Sequence, residues 1–230
     1  MTTNIHRKEL KAIYYLRGMK ILVVAATFAE VKGIYEHFDC PPAAFMQSPK
    51  FDILITGVGM TATAYALGKT LSAQYQLVLN LGIAGSFDYN TNLGSLVQVI
   101  EDEFSELGAQ TKDSFLTLEE LGFGKTAYAC SFTGHHSLLN TLPQVKGITV
   151  NQVHGNSAAI TTIVNRLHPA TESMEGAAVF YACEQAAIAC LQVRAISNHV
   201  EERNKENWKI GLAIKNLNQW AIEFLLNFTP

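Results

Sequence analysis

Two hydrophobic patterns alternate along this chain. Short segments that read as strands occur at Lys20–Ala26 (KILVVAA, rich in branched residues), Phe51–Thr56, Leu77–Leu81, Leu96–Ile100, Ile148–Asn151, Ala170–Ser173 and Gln192–Ile196. The first is almost wholly apolar, the pattern of a strand buried on both faces. Between them lie segments with helical signals. Thr27 followed by Glu30 three positions later forms a capping box that opens a helix running to about Phe38. Small residues carry helices from Met60 to about Ala73, from Ser157 to Leu167, and onward from Glu175. From Asn207 to Phe228, the residues Ile210, Ala213, Ile214, Leu217, Trp220, Phe224 and Phe228 recur at steps of three and four. That spacing lays one apolar stripe along an amphipathic helix. Strands alternating with helices predict an α/β fold: a single domain with a mixed, mainly parallel central sheet flanked by helices. Residues 19–230 are assigned to this domain and residues 1–18 to an N-terminal extension. Glu101 to Leu142 has mixed character and yields no clear pattern.

Charge and composition remove several function classes. The formal charge is −3 and no basic stripe is present, which gives no footing for nucleic acid. No apolar run reaches the roughly 18 residues that a membrane span needs. Residues 1–18 are polar and lack a signal-peptide core. Cys40, Cys130, Cys183 and Cys190 form no C-x-x-C pair, so neither a disulfide scaffold nor metal ligation is expected. The reading is of a cytoplasmic protein with free thiols.

In open α/β sheets, ligands bind beyond the carboxyl ends of the strands. That rule selects Thr27–Glu30, Gly57–Met60, Gly82–Gly85, Ser173–Glu175 and Ser197–Asn198. The pairs Gly57/Gly59 and Gly82/Gly85 suit tight strand-to-helix turns or close backbone approach to a ligand. Neither completes a dinucleotide fingerprint. Glu30 and Glu175 each stand at a helix start, where a carboxylate gains about 0.3–1 kcal/mol from the helix dipole. Two carboxylates at one sheet edge can also serve glycoside cleavage, one activating water and one accepting bonds from a vicinal diol. Asn198 suits a turn and His154 a loop, and both also stand where they could meet a ligand. Phe104, Phe115, Phe123 and Phe132 could equally form core or a substrate pocket.

Met19-Lys20-Ile21, Thr27-Phe28-Ala29-Glu30-Val31, Thr56-Gly57-Val58-Gly59, Asn80-Leu81-Gly82-Ile83-Ala84-Gly85, Ser173-Met174-Glu175-Gly176-Ala177-Ala178 and Arg194-Ala195-Ile196-Ser197 occur in this order. The series resembles methylthioadenosine/S-adenosylhomocysteine nucleosidases and related purine nucleoside phosphorylases, from about Met19 to the C-terminus. The resemblance implies that Glu30 holds and activates water, Met174 packs on the ribose, and Glu175 accepts bonds from its 2′ and 3′ hydroxyls. It also implies that Ser197 places Asn198 and that the Gly59 backbone lines the ribose side. No cofactor or metal is implied. The expected partners are a small-molecule nucleoside and further copies of the chain, as a dimer or larger homo-oligomer.

Two departures refine this picture. The adenine-specific nucleosidases carry an aspartate, which protonates purine N7, where this chain has Asn198. An amide cannot supply that proton, but it can donate to a 6-oxo group and accept from N7–H. The run Ile196-Ser197-Asn198-His199-Val200-Glu201, with Arg203 and Trp208, further resembles the futalosine hydrolases of the alternative menaquinone pathway. Their substrate is an inosine with a carboxyphenyl ketone on its 5′ side. The second departure concerns phosphate. The stretches where phosphorylases place arginine here contain no arginine or lysine, and Glu30 would repel the dianion. Hydrolysis is expected, with His154 and Arg203 as further site candidates. A methylthioadenosine- or inosine-type nucleosidase, or a silent nucleoside-binding protein, remain the alternatives.

Overall fold

The computed structural model describes residues 20–228; the expected extension at 1–18 lies outside them. The chain begins with β1 (Lys20–Ala25), α1 (Phe28–His37), β2 (Phe45–Gln47), β3 (Phe51–Ile55), α2 (Met60–Thr70) and β4 (Tyr75–Ser86). It continues through β5 (Leu96–Phe104), β6 (Gly108–Gln110), β7 (Phe115–Thr117), α3 (Leu118–Leu121), β8 (Ala127–Ala129) and β9 (Gln144–Thr149). The last part holds α4 (Ser157–Leu167), β10 (Thr171–Ser173), α5 (Gly176–Ala186), β11 (Ala189–His199), a 3-10 turn (Lys205–Asn207) and α6 (Ile210–Asn227).

The main sheet runs β10-β9-β5-β11-β4-β1-β3-β2, with β8 beside β5. Its core pairings β3/β1, β1/β4, β4/β11 and β5/β9 are parallel, whereas β11/β5, β2/β3, β5/β8 and β10/β4 are antiparallel. The mixed sheet flanked by helices is thus the expected α/β architecture. Side-chain alternation along β1 shows why its apolar run is unbroken. Ile21, Val23 and Ala25 pack with Val31, Ile34, Leu217 and Phe224 of α1 and α6, while Leu22 and Val24 pack with Leu67, Val179 and Phe180 of α2 and α5. Helices cover both faces, so both sets of side chains are buried.

Three expectations need correction. Gly82–Gly85 is no turn: β4 continues through it to Ser86, with β11 alongside and β10 pairing Glu172 to Gly85. The strand expected at Ile148–Asn151 instead spans Gln144–Thr149, because its polar first half pairs with β5. On α6, Ile210 is exposed rather than core, while Asn218 is buried on the apolar face. Asn218 clamps α1 from behind: its Oδ1 accepts from Ile34 N–H at 3.0 Å and its Nδ2 donates to Glu30 C=O at 2.8 Å. None of the four phenylalanines of the middle segment lines the cavity at the carboxyl ends of β1, β4, β10 and β11. Phe132 packs near α6, Phe104 packs on Tyr128, Phe115 lies under Arg166, and Phe123 is 77% exposed.

Candidate active site

A cavity of about 300 Å³ opens where β1, β4, β10 and β11 end. Glu30, Met174, Glu175, Ser197, Asn198, His154 and Arg203 all line it. Gly59 does not. It stands behind Glu175 and donates its N–H to Oε1 at 2.9 Å. The φ of +94° at this position favours a residue without Cβ, and it aims that N–H at the carboxylate.

Glu30 is held in the first turn of α1. Its Oε2 accepts from the Thr27 backbone N–H at 2.9 Å and the Thr27 hydroxyl at 2.8 Å, and its Oε1 accepts from Ile83 N–H at 3.2 Å. Three donors fix the orientation of this buried carboxylate, with Oε1 towards the Gly82–Ile83 backbone. Glu175 is the N-cap of α5 and is also buried. Burial pushes its carboxyl above the ordinary glutamate range; Arg194 and Gly59 N–H oppose the rise, and the nearby Glu30 charge adds to it.

Arg194 was read from the sequence only as part of a motif. It lies mid-strand in β11, opposite Gly82, and is 1% exposed. A Cβ at Gly82 would overlap the Arg194 guanidinium and come within 3.0 Å of Glu30 Oε1. Glycine is therefore required here for close approach, the role of this position in the continued strand. Arg194 Nε and Nη2 have no hydrogen-bond partner. The sequence placed no cation beside Glu30, and the structure brings one across from the neighbouring strand. Its charge also acts on Glu175 and on the fully buried Asp102, whose pKa burial raises to about 6. One guanidinium thus bears on Glu175 and Asp102 and lies across Gly82 from Glu30.

A bulge in β11 between Ile196 and Asn198 brings Asn198 opposite Gly85. Bulges re-aim side chains near sites of this kind. Asn198 Nδ2 donates to the His199 carbonyl at 3.0 Å, and its Oδ1 accepts from the Ser197 hydroxyl at 2.8 Å. A carbonyl only accepts, so the amide has one orientation, leaving one N–H and one lone pair for a ligand. Arg203 stacks over Trp208, 5.2 Å from the ring centroid. Glu172, Trp208, Ile210 and Ile214 also line the cavity, although the sequence reading gave none of them a binding role. Among the described residues, no group of three or more His, Cys, Asp or Glu could hold a metal ion.

The raised Glu175 pKa has a measurable consequence. The resemblance gives its ionised form the task of accepting two ribose hydroxyl bonds, and on that assignment kcat/KM should fall with decreasing pH through a pKa above the ordinary glutamate value of about 4.3. A pH–rate profile of wild type and Glu175→Gln checks this. The limb should vanish from the residual activity of the variant; a limb at or below the ordinary value contradicts the assignment.

The chain belongs to the phosphorylase superfamily, whose family model matches residues 53–226. Within it the chain groups with the futalosine hydrolases. It is 32% identical over 215 residues to the futalosine hydrolase of Acidothermus cellulolyticus, covering 87% of this chain and 88% of that one. The fold matches the native futalosine hydrolase of Helicobacter pylori at a TM-score of 0.76 and 17% identity, over 91% of this chain and 97% of that chain. A methylthioadenosine/S-adenosylhomocysteine nucleosidase mutant from the same organism, with 5′-methylthioadenosine in its active site, matches at 0.76 and 16%, over 92% and 100%. At these identities the two solved structures speak for the fold alone.

Proposed function

We propose that this protein hydrolyses the N-glycosidic bond of futalosine, releasing hypoxanthine and dehypoxanthine futalosine on the menaquinone pathway. The observation that carries the reading is the amide of Asn198, locked in one orientation at the edge of a cavity that also holds Glu30 and Glu175. Glu30 Oε1 takes a proton from water as the water oxygen bonds to C1′. The C1′–N9 bond breaks and its electron pair leaves with the base. Glu175 accepts from the 2′ and 3′ hydroxyls, and Met174 packs on the ribose. Asn198 donates its free N–H to O6 and accepts from N7–H, and the departing base takes its balancing proton from solvent. Arg203, on Trp208, offers a cation to the carboxylate of the 5′ arm.

A homo-oligomer is part of the proposal. Exposed Leu107, Phe123 and Tyr181 gather beside Phe104, Leu118 and the buried Tyr128 into an apolar patch of the kind a partner copy covers. Among the described residues no helix is long and apolar enough to cross a membrane. A cytoplasmic setting accords with four free cysteines. The test of function is purine release from futalosine, aminofutalosine, inosine and methylthioadenosine. Futalosine should have the highest kcat/KM, and preference for either 6-amino nucleoside would overturn the substrate.

A further inference from the structure

One buried carboxylate in the cavity has no task in the reaction above. Glu172 is 4% exposed, lines the cavity and belongs to the three-residue strand β10. Its Oε1 accepts from the His154 backbone N–H at 3.1 Å, and its Oε2 lies 2.7 Å from His154 Nδ1. A carboxylate only accepts, so Nδ1 carries the hydrogen. These bonds fix the carboxylate but leave acceptor capacity on Oε1. The location is informative: a Cβ built on Gly85 would lie 3.2 Å from Asn198 Nδ2 and 3.6 Å from Glu172 Cγ. The Asn198 amide and the Glu172 side chain therefore flank the same spot above Gly85.

We infer that Glu172, held by His154, is a specificity-determining residue that accepts the N1–H of a 6-oxopurine, while the adjacent Asn198 serves the O6 and N7 edge. The inference rests on the proposed futalosine reading and deepens it. Hypoxanthine carries a hydrogen on N1 beside O6. Adenine has a lone pair at N1, which a carboxylate repels. An acceptor next to an amide is thus complementary to the first base and opposed to the second, without any change of protonation in the protein. His154 is a positioning residue in this scheme: it holds the carboxylate and does not itself touch the base.

The test measures hypoxanthine and adenine binding by calorimetry to wild type and Glu172→Gln at one pH. Glutamine keeps the shape, but the His154 N–H holds its carbonyl at the Oε1 position, so it is a neutral, weaker acceptor for N1–H and opposes the adenine lone pair less. Wild type should favour hypoxanthine, and the variant should lose about 10-fold or more of that preference. A purely structural role would weaken both bases alike and leave the ratio fixed. If wild type favours hypoxanthine and the variant keeps the ratio, the Glu172 assignment falls while the substrate stands. If wild type favours adenine, the substrate and the inference fall together. A second measurement needs no variant. Hypoxanthine labelled with ¹⁵N at N1 and bound to wild type should show an N1–H resonance shifted downfield and protected from exchange; an exchanging, unshifted N1–H would overturn the assignment.

Discussion

Replacing Glu30 by glutamine should lower kcat on futalosine by roughly 10²-fold or more while the substrate still binds. The amide keeps the side chain's shape and removes the base. It cannot accept from all three donors that now hold Glu30, namely Thr27 N–H, the Thr27 hydroxyl and Ile83 N–H. One N–H pair must then face another donor, which costs about 1–3 kcal/mol when buried. A modest loss of thermal stability should accompany the kinetic loss. Single-turnover rates and calorimetric binding separate the two effects. Near-normal turnover in Glu30→Gln would remove this residue from the chemistry.

Asn198→Asp should shift the ratio of kcat/KM for futalosine against aminofutalosine towards the 6-amino substrate. A site built around a hydrogen-bonding group can discriminate by as much as about 10⁴ when the wrong ligand leaves polar groups unpaired. In wild type the amide N–H meets the His199 carbonyl at 3.0 Å. An aspartate oxygen there would face that carbonyl, and their repulsion favours the protonated carboxyl. The variant would therefore gain a proton to give to adenine N7 and lose the donor that meets O6. Absolute rates should fall for futalosine, and the ratio of the two substrates is the quantity to follow. An unchanged ratio would mean that position 198 does not read the base.

The parts of this molecule legible in its sequence are those governed by short-range patterns. The apolar run of β1, the largely apolar β3, the Thr27–Glu30 cap and the span of α4 needed only neighbours in the chain. The continuation of β4 through Gly82–Gly85 did not show, because those glycines answer to Arg194 and Glu172, more than 80 residues away. Arg194 did leave a signal: an arginine, the one charged side chain of Lys, Arg, Asp or Glu type in a central strand, needs a reason to be buried. Glu172 left almost none, since three residues of β10 are too few to show an alternation. Asn218 broke the apolar stripe of α6 because it bonds the backbone of α1, a contact that periodicity cannot express.

The central claim is that water, activated at Glu30, displaces hypoxanthine from C1′. The direct measurement is turnover of futalosine in phosphate-free buffer made with H₂¹⁸O, repeated with added phosphate. The account predicts hypoxanthine release at the same rate in both, with one ¹⁸O at C1′ of the ribosyl product and no ribosyl 1-phosphate. Release that requires phosphate and yields the 1-phosphate would contradict it.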